Sequence, residues 1–353
     1  MERFEHGGDI YTHKGVVDFS ASINPLGMPP AAVEAIKEQA AHFDVYPDLE
    51  YRELRQALAE HERVKPEYIV CTAGATDLFW RLCSVVRPRA AMVTAPCFSG
   101  YEQALEQFGI EIVRHPLLEQ DAFDVTDSIL GFSGRADVGI LFLCTPNNPT
   151  SLTIGLDLLV RILDEALEAG VLVALDECFL GFTHEPSAVP LCEKYPNLLV
   201  MSAFTKLYAM AGLRLGYGIC SDVGLIDRLE AAGQPWAVSG PAQAAGVAAL
   251  GVDGWADDTL AYVDEQRAVL QQGLEECGMR VIPGKANSLM FRSEWLLYEP
   301  LLSKGFLIRR CENFVGLDEH WYRVAVRTAD ENAALITALR EVISGDGPCC
   351  QAL

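Results

Sequence analysis

Short apolar runs alternate with amphipathic stretches along the middle of the chain, between residues 68 and 220. Seven of these runs are typical of buried or half-buried strands: YIVCT, AAMVTA, IEIVRH, VGILFLC, VLVALD, LLVMSA and GYGIC. Between two of them, GLDLLVRILDEALEAG repeats its apolar residues at helical spacing and stops at Gly170. Strands that alternate with helices predict an α/β fold with a mainly parallel, helix-covered sheet.

The pattern changes after Ser239. The alanine-rich stretch PAQAAGVAALG and a long polar stretch at residues 259–277 both predict helices, and a final helix is predicted near residues 331–342. Between them, MRVIP, SLMFR, FLIRR and YRVAVR are typical of short strands. This mixture indicates a second, smaller α+β domain.

The length of the chain also favours two domains, because 353 residues exceed the usual size of a single hydrophobic core. The large domain is predicted at residues 38–237. The N-terminal arm, residues 1–37, and the segment 238–353 are predicted to form the small domain together.

Charge and composition narrow the class of partner. A net charge of −22 argues against a nucleic acid or an anionic membrane, although a few local donors can still bind a small anion. No apolar signal region or membrane span is apparent, and no metal site is predicted. The eleven cysteines are scattered and several lie in apolar runs, which indicates reduced, buried thiols of a cytoplasmic protein. Cys349 and Cys350 are expected in a frayed tail.

Polar residues follow the predicted strands at the point where ligands bind in an open parallel sheet, the carboxyl ends. After YIVCT, Gly74 and Ala75 form a tight turn, and Thr76 or Asp77 begins a helix. The backbone amides of such a turn and helix N-terminus can bind phosphate. Taken alone, the turn is equally compatible with a plain helix cap.

Three further strand ends carry side chains of different chemistry. Phe98 follows AAMVTA, and Asn147 and Asn148 follow VGILFLC in a TPNNPT turn. Taken alone, Phe98 is typical of a core aromatic and the asparagines of a turn. Asp176 ends VLVALD, where an ionised carboxylate that should be buried needs a cationic partner.

A lysine follows the next strand, in the stretch FTKLYAMAGLRLGY, where Thr205 and Lys206 come directly after LLVMSAF. In a partly apolar pocket, an amine loses affinity for its proton and becomes a nucleophile for carbonyls. Most single lysines in such positions lie on the surface. Together, however, a phosphate turn, an aromatic ring, an amide, a carboxylate and an amine describe a pocket for a flat, phosphorylated aldehyde with a cationic ring.

This order of residues resembles that of the fold-type I pyridoxal-phosphate enzymes, the aspartate aminotransferase superfamily, over nearly the whole chain. The resemblance implies pyridoxal 5′-phosphate as cofactor, bound by Lys206 as a Schiff base, with Asp176 paired to the ring nitrogen. It places Asn148 at the ring hydroxyl and Phe98 on the ring face. The residues it implies around the cofactor phosphate are Gly74, Ala75, Thr76, Thr205 and Arg214.

The resemblance also implies a homodimer, because Tyr46 in VYPD matches a tyrosine that reaches the cofactor phosphate of the neighbouring subunit. Arg323 in WYRVAVRT matches the arginine that binds the substrate carboxylate, and Asn24 is expected beside it. A phosphate-bearing substrate needs further donors. The candidates are His6, Arg309 and Arg327, of which His6 and Arg309 are also compatible with ordinary surface positions.

Within the superfamily, the chain resembles the branch of histidinol-phosphate aminotransferase and the threonine-phosphate decarboxylase of cobalamin biosynthesis. Three features favour the decarboxylases: the opening HGGDIY with DFSASINPLG, Phe179 where many aminotransferases have tyrosine, and the region from LIRR to RVAVRT. Three departures point the other way: Ser151 where glycine is common, Asp9 where asparagine is frequent, and Arg310 where an acidic residue is common.

The expected function is therefore that of a pyridoxal-phosphate-dependent lyase that decarboxylates L-threonine-O-3-phosphate, or L-serine-O-phosphate, to the aminoalkyl phosphate in cobalamin biosynthesis. Histidinol-phosphate aminotransferase, or another class I/II aminotransferase, is the alternative. A ligand-sensing domain of a transcription regulator has the same fold, but the strongly acidic composition disfavours it.

Overall fold

The structure is a computed structural model that describes residues 6–135 and 137–345, so that Cys349 and Cys350 lie outside the described residues. The strands in these ranges are β1 (Val17–Asp18), β2 (Ile69–Thr72), β3 (Ala90–Ala95), β4 (Glu111–Pro116), β5 (Val138–Cys144), β6 (Leu172–Asp176), β7 (Leu198–Ala203), β8 (Gly216–Ile219), β9 (Arg280–Val281), β10 (Ser288–Arg292), β11 (Phe306–Leu307), β12 (Arg309–Arg310) and β13 (Trp321–Ala325). The helices are α1 (Pro30–Gln39), α2 (Arg52–Glu62), α3 (Ala75–Val86), α4 (Ser99–Gln107), α5 (Leu156–Ala169), α6 (Val223–Ala231), α7 (Gly240–Leu250), α8 (Trp255–Glu276), α9 (Tyr298–Ser303) and α10 (Ala329–Ser344). Within the described ranges, no helix combines the length and the apolar character needed to cross a bilayer.

A seven-stranded sheet forms the centre of the molecule, with strand order β2-β8-β7-β6-β5-β3-β4. The five strands from β7 to β4 in this order are parallel, whereas β8 runs antiparallel to both of its neighbours. All seven strands predicted from apolar runs are present, and the predicted α/β class with a mainly parallel sheet is confirmed.

Both faces of this sheet are covered, which explains why its inner strands are apolar runs, whereas the edge strand β4 alternates and is partly exposed. Along β5, Leu141 and Leu143 belong to the core on one face, with α2, α5 and α7. Ile140 and Phe142 belong to the core on the other face, with α3, α4 and α6. Because the parallel strands end at one edge, their carboxyl-terminal residues lie together there.

A second, antiparallel sheet of strand order β12-β13-β10-β9 forms the smaller unit. Its core combines Leu270 of α8, Phe291 of β10 and Leu339 of α10, all fully buried. The N-terminal segment joins this unit, because β1 pairs in parallel with β11 and brings Phe19 into the same core.

The predicted domain boundary would assign residues 238–353, and therefore α7, to the small domain. In the structure, however, α7 packs against the large sheet. Ala242 and Ala245 of α7 are buried in the core of the seven-stranded sheet, as is Ala32 of α1. Small side chains allow this close approach, since a Cβ atom on Gly246 would lie 2.6 Å from Leu215. We therefore propose that α1 and α7 belong to the large domain and that the division falls between α7 and α8.

Candidate active site

A cavity of about 240 Å³ opens at the carboxyl ends of the parallel strands, between the large sheet, the N-terminal segment and the small sheet. It brings together residues from positions 6 to 323 of the chain. The predicted site residues that line it are His6, Ala75, Thr76, Phe98, Asn148, Asp176, Thr205, Lys206, Arg214, Arg309 and Arg323.

The turn after β2 and the turn before β8 are in close contact at one end of the cavity. Gly74 has a φ of +88°, and a Cβ atom there would lie 2.6 Å from Nη2 of Arg214. A Cβ atom on Gly216 would lie 2.6 Å from the backbone nitrogen of Ala75, the first residue of α3. Only glycines allow this approach, which sets an exposed guanidinium beside a helix N-terminus. The pair of donors suits a phosphate dianion.

An ion pair between the buried Arg81 and the half-buried Asp77 supports this turn. Asp77 accepts a hydrogen bond of 2.9 Å from the backbone nitrogen of Ala73. Its carboxylate also accepts two hydrogen bonds from the buried Arg81, of 3.1 and 2.6 Å. Through Asp77, the guanidinium of Arg81 therefore connects the loop after β2 to the first helical turn of α3.

Asp176 lies at the end of β6 and is 5% exposed. Its Oδ2 accepts a hydrogen bond of 2.6 Å from the hydroxyl of Tyr101, and its Oδ1 accepts one of 2.9 Å from the backbone nitrogen of Cys178. The sequence did not predict Tyr101. Its spacing from Phe98, three residues at the start of α4, was the available signal, because residues three apart share a helix face.

Lys206 follows β7, and burial lowers the pKa of its amine from 10.5 to about 8. The charge of Arg323 contributes to this lowering, while Cys178 and Asp176 oppose it. The Nζ atom lies 5.2 Å from the centre of the Phe179 ring, which offers it no hydrogen-bond acceptor of oxygen or nitrogen. A substantial fraction of the amine is therefore neutral and nucleophilic near pH 8.

Asn148 and Arg323 are in direct contact, although Asn148 lies in the turn after β5 of the large sheet and Arg323 lies on β13 of the small sheet. Nη1 of Arg323 donates to Oδ1 of Asn148, and Nη2 donates to the backbone oxygen of Ser20 at 2.8 Å. Within the described part of the chain, Nε of Arg323 is buried without a hydrogen-bond partner. Burial lowers the pKa of this guanidinium to about 10. Such a buried fork is well suited to a carboxylate.

A second cationic group, Arg309, lies nearby, and His6 lines the cavity with it. The ring of His6 lies 6.0 Å from that of Phe98, and its pKa is lowered by burial and by the charge of Arg309. Arg309 is 6% exposed, donates to Asn313 at 2.8 Å and lies over the ring of Phe314. The cavity therefore carries positive charge at two separate places, Arg323 and Arg309.

Two predicted substrate residues lie elsewhere. Arg327 donates to both oxygens of Glu331 and to the backbone oxygen of Asp18, at 2.9 to 3.1 Å, in the first turn of α10. Asn24 donates to the backbone oxygen of Leu207 and to Thr259, at 2.7 and 2.9 Å. Neither side chain lines the cavity, because each is engaged in joining segments of the chain.

Tyr46 also lies outside the cavity of its own chain. It is 77% exposed and stacks on Trp236, with ring centres 4.6 Å apart. Its predicted contact with the cofactor phosphate of a neighbouring subunit is compatible with this exposure and remains a prediction.

The fold and the arrangement of these groups are those of an aminotransferase-like enzyme. The chain belongs to the aminotransferase class I and II family, whose sequence profile matches residues 14–339. The predicted membership of the fold-type I pyridoxal-phosphate enzymes is thereby confirmed.

Two relatives match almost the full chain. The threonine-phosphate decarboxylase of Salmonella typhimurium is 39% identical over 97% of this chain and 98% of its own. The histidinol-phosphate aminotransferase of Symbiobacterium thermophilum is 32% identical over 94% of this chain and 91% of its own.

Solved structures agree in fold. The histidinol-phosphate aminotransferase of Clostridium acetobutylicum, 28% identical, has a TM-score of 0.87 over 93% of this chain and 99% of its own. That of Sinorhizobium meliloti, solved in complex with pyridoxal 5′-phosphate, has a TM-score of 0.87 at 22% identity, over 98% of this chain and 96% of its own. The cofactor of this protein is pyridoxal 5′-phosphate, as the sequence predicted.

The cavity fits this cofactor on its own geometry. The Gly74 turn with Arg214 has the donors for a phosphate, and Asp176 offers a carboxylate for a protonated ring nitrogen. Asn148 supplies an amide, and Lys206 an amine whose lowered pKa suits attack on an aldehyde. The individual roles of these residues remain proposals.

Proposed function

We propose that the protein decarboxylates L-threonine-O-3-phosphate, or L-serine-O-phosphate, to the aminoalkyl phosphate in cobalamin biosynthesis. The observation that carries this proposal is the presence of two arginines in one cavity, Arg323 and Arg309, with His6 as a further hydrogen-bonding side chain in the lining. A phosphorylated amino acid has two anionic groups, a carboxylate and a phosphate, that match them. The 39% identity to a threonine-phosphate decarboxylase supports the same substrate class.

We propose that Lys206 binds the cofactor covalently and that Asp176 pairs with its ring nitrogen. Asn148 then bonds the ring hydroxyl and Phe98 covers the ring face. The phosphate is held by Gly74, Ala75, Thr76, Thr205 and Arg214. When bound, the cofactor supplies an electron sink for the bond that breaks at the substrate Cα.

The protein residues decide which bond at Cα is broken. Arg323 holds the substrate carboxylate by its guanidinium fork and so fixes the orientation of the groups on Cα. Lys206 is the group that can deliver or remove a proton at Cα, because its lowered pKa allows both protonation states near pH 8. Phe179 adds an apolar wall beside this amine, which limits competing hydrogen bonds.

Transamination of histidinol phosphate is the second candidate. It is favoured by the 32% identity to a histidinol-phosphate aminotransferase and by the cationic position at Arg309, which suits any phosphorylated amine. This reaction requires 2-oxoglutarate or another amino-group acceptor, whereas decarboxylation does not.

We also propose a homodimer with a shared active site, in the cytoplasm. An exposed apolar surface formed by Phe43, Val45, Tyr46 and Trp236 supports the dimer, as does the exposed position of Arg214 at the phosphate end of the cavity. The nine cysteines in the described ranges form no disulfide bond, which supports a reducing compartment. Mixing Tyr46→Ala with Lys206→Ala subunits should restore part of the activity, because one of the two sites in a mixed dimer is then intact.

The decisive experiment measures carbon dioxide release from O-phospho-L-threonine by the cofactor-loaded protein. We expect release that matches the formation of an aminopropanol phosphate, and its loss in Lys206→Ala. O-phospho-L-serine tests the variant substrate, which lacks one methyl group. If the loaded protein releases no carbon dioxide but converts histidinol phosphate and 2-oxoglutarate to glutamate, transamination replaces the proposal.

A further inference from the structure

The hydroxyl of Tyr101 makes the shortest hydrogen bond to Asp176 found in the described structure, at 2.6 Å to Oδ2. The other carboxylate oxygen of Asp176, Oδ1, accepts a hydrogen bond of 2.9 Å from the backbone nitrogen of Cys178. A carboxylate has about four acceptor positions, so that Asp176 keeps acceptor capacity for a ligand in the cavity that it lines.

The ring of Tyr101 is held on three sides by other aromatic rings. It is 1% exposed and stacks on Phe142, with ring centres 5.2 Å apart and planes 18° apart. Phe79 and Phe98 meet it edge-on, at 4.9 and 5.7 Å. Because the ring cannot turn without disturbing this packing, the position of its hydroxyl is fixed.

The hydroxyl also stays protonated. Burial, together with the charge of Asp176, raises the pKa of Tyr101 well above 10. Tyr101 therefore remains a hydrogen-bond donor to Asp176 across the pH range in which enzymes work.

We propose that Tyr101 is a positioning residue that holds the carboxylate of Asp176 oriented towards the ring nitrogen of the cofactor. The inference rests on the proposed role of Asp176. Since Phe98 packs against the same tyrosine, Tyr101 also couples the position of the proposed stacking ring to that of the carboxylate.

Tyr101→Phe tests this proposal, because it keeps the ring and removes the hydroxyl. Tyr195→Phe is a matched control: Tyr195 is 0% exposed and its hydroxyl donates to Asp164 at 2.6 Å, but it does not line the cavity. We expect Tyr101→Phe to weaken binding of pyridoxal 5′-phosphate to the apoprotein about 10- to 100-fold, the usual effect of a lost hydrogen bond to a charged group. Tyr195→Phe should leave this affinity unchanged.

A spectroscopic readout separates positioning from packing. If the proton on the ring nitrogen of the cofactor is held less tightly, the ring withdraws fewer electrons. The pH at which the visible absorption band of the cofactor-loaded protein changes should therefore rise in Tyr101→Phe. kcat should fall, while KM for the amino-acid substrate stays within about twofold, because Tyr101 acts on the cofactor ring rather than on substrate binding. A lower melting temperature with an unchanged titration and an unchanged cofactor affinity would overturn the proposal in favour of a purely structural role.

A double-mutant cycle with Asp176→Ala shows whether the tyrosine acts through the carboxylate. Removing the hydroxyl should have no further effect on cofactor affinity in this background. If Asp176→Ala itself leaves affinity and titration unchanged, the role of Asp176 fails. If Asp176→Ala changes them and Tyr101→Phe does not, only the inference about Tyr101 fails. Tyr101→Met, which also lacks the donor, repeats the test if the phenylalanine variant does not fold.

Discussion

The two ends of the cavity are built in different ways. The end predicted to hold the cofactor is formed by residues at the ends of neighbouring strands in one sheet, such as Asp176 after β6 and Lys206 after β7. The end predicted to hold the substrate combines His6 of the N-terminal segment with Arg309 and Arg323 of the small sheet. The first end depends on the topology of one sheet, and the second on the packing of three separate parts of the chain.

Arg323 joins the two ends, so its replacement should have the largest effect. Lysine keeps the charge but cannot bind Asn148, Ser20 and a carboxylate with one rigid fork. We expect Arg323→Lys to lower kcat/KM for O-phospho-L-threonine about 100- to 1,000-fold, as for other buried, hydrogen-bonded charges.

Arg310→Lys is the control, because Arg310 neighbours Arg309 on β12 but does not line the cavity. Its effect on kcat/KM should stay within about threefold. Equal effects of the two replacements would show that the substrate end has been assigned to the wrong arginine.

A change confined to the cofactor end is Gly74→Ala. The new Cβ atom would lie 2.6 Å from Nη2 of Arg214 at a φ of +88°, so it both strains the turn and displaces the guanidinium. We expect the dissociation constant for pyridoxal 5′-phosphate to rise about 10- to 100-fold, measured by fluorescence titration of the apoprotein.

Gly109→Ala is a control that separates backbone strain from displacement of the Arg214 guanidinium. Gly109 has a φ of +66° but no neighbouring heavy atom within 4 Å of a new Cβ atom. It should lower stability without changing cofactor affinity. Unchanged affinity in both variants would argue against the turn at Gly74 as the phosphate site.

Arg309 and Arg327 test the substrate end alone. Arg309→Gln should raise KM for O-phospho-L-threonine about tenfold, because a charge-assisted hydrogen bond to phosphate is lost. Arg327→Gln should leave KM unchanged and lower the free energy of unfolding by about 0.5–1 kcal/mol, since its ion pair with Glu331 is partly exposed. A KM effect confined to Arg327→Gln would reverse the assignment.

The smallest expected effect is a shift in pH dependence. The rate at which the apoprotein binds pyridoxal 5′-phosphate covalently should rise from pH 6 and level off above about 9, because the neutral amine of Lys206 forms with a pKa of about 8. Arg323→Gln removes a neighbouring cation, stabilises the protonated amine and should move this midpoint to higher pH. A rate that still rises steeply above pH 9 would indicate an amine of ordinary pKa.

The large sheet was predictable because both of its faces are covered. Its inner strands are therefore apolar runs, unlike the edge strand β4, and a polar residue such as Asp176 is conspicuous at a strand end. Lys206 and Asn148 became candidates for the same reason. The family resemblance added the roles that strand ends alone leave open.

The substrate end was predicted less well because its contacts depend on where short elements stop. Arg323 and Arg327 would share a face if β13 continued, but β13 ends at Ala325. Thr328 and Glu331 then form a capping box at the start of α10, which engages Arg327. The T-x-x-E spacing that predicts this box was visible in the sequence.

Local spacing does not identify the partners of other contacts. Asn24 lies in a turn whose sequence predicts a bend, but its hydrogen bonds to Leu207 and Thr259 join segments far apart in the chain. The contact of Tyr101 with Asp176 spans 75 residues and depends on the packing of α4 against the sheet. Pattern and propensity describe local structure and do not specify such pairs.

The contact between Arg323 and Ser20 closes a loop of 303 residues, whereas the contact between Tyr101 and Asp176 closes one of 75. Contacts between residues distant in sequence form late in folding, because the entropy of ordering the chain between them must first be offset. The sheet can therefore organise its amine and carboxylate while the amino-terminal segment is still unattached. We therefore expect affinity for the cofactor to return before activity during refolding, and the recovery of activity to report the docking of the N-terminal segment onto the small sheet.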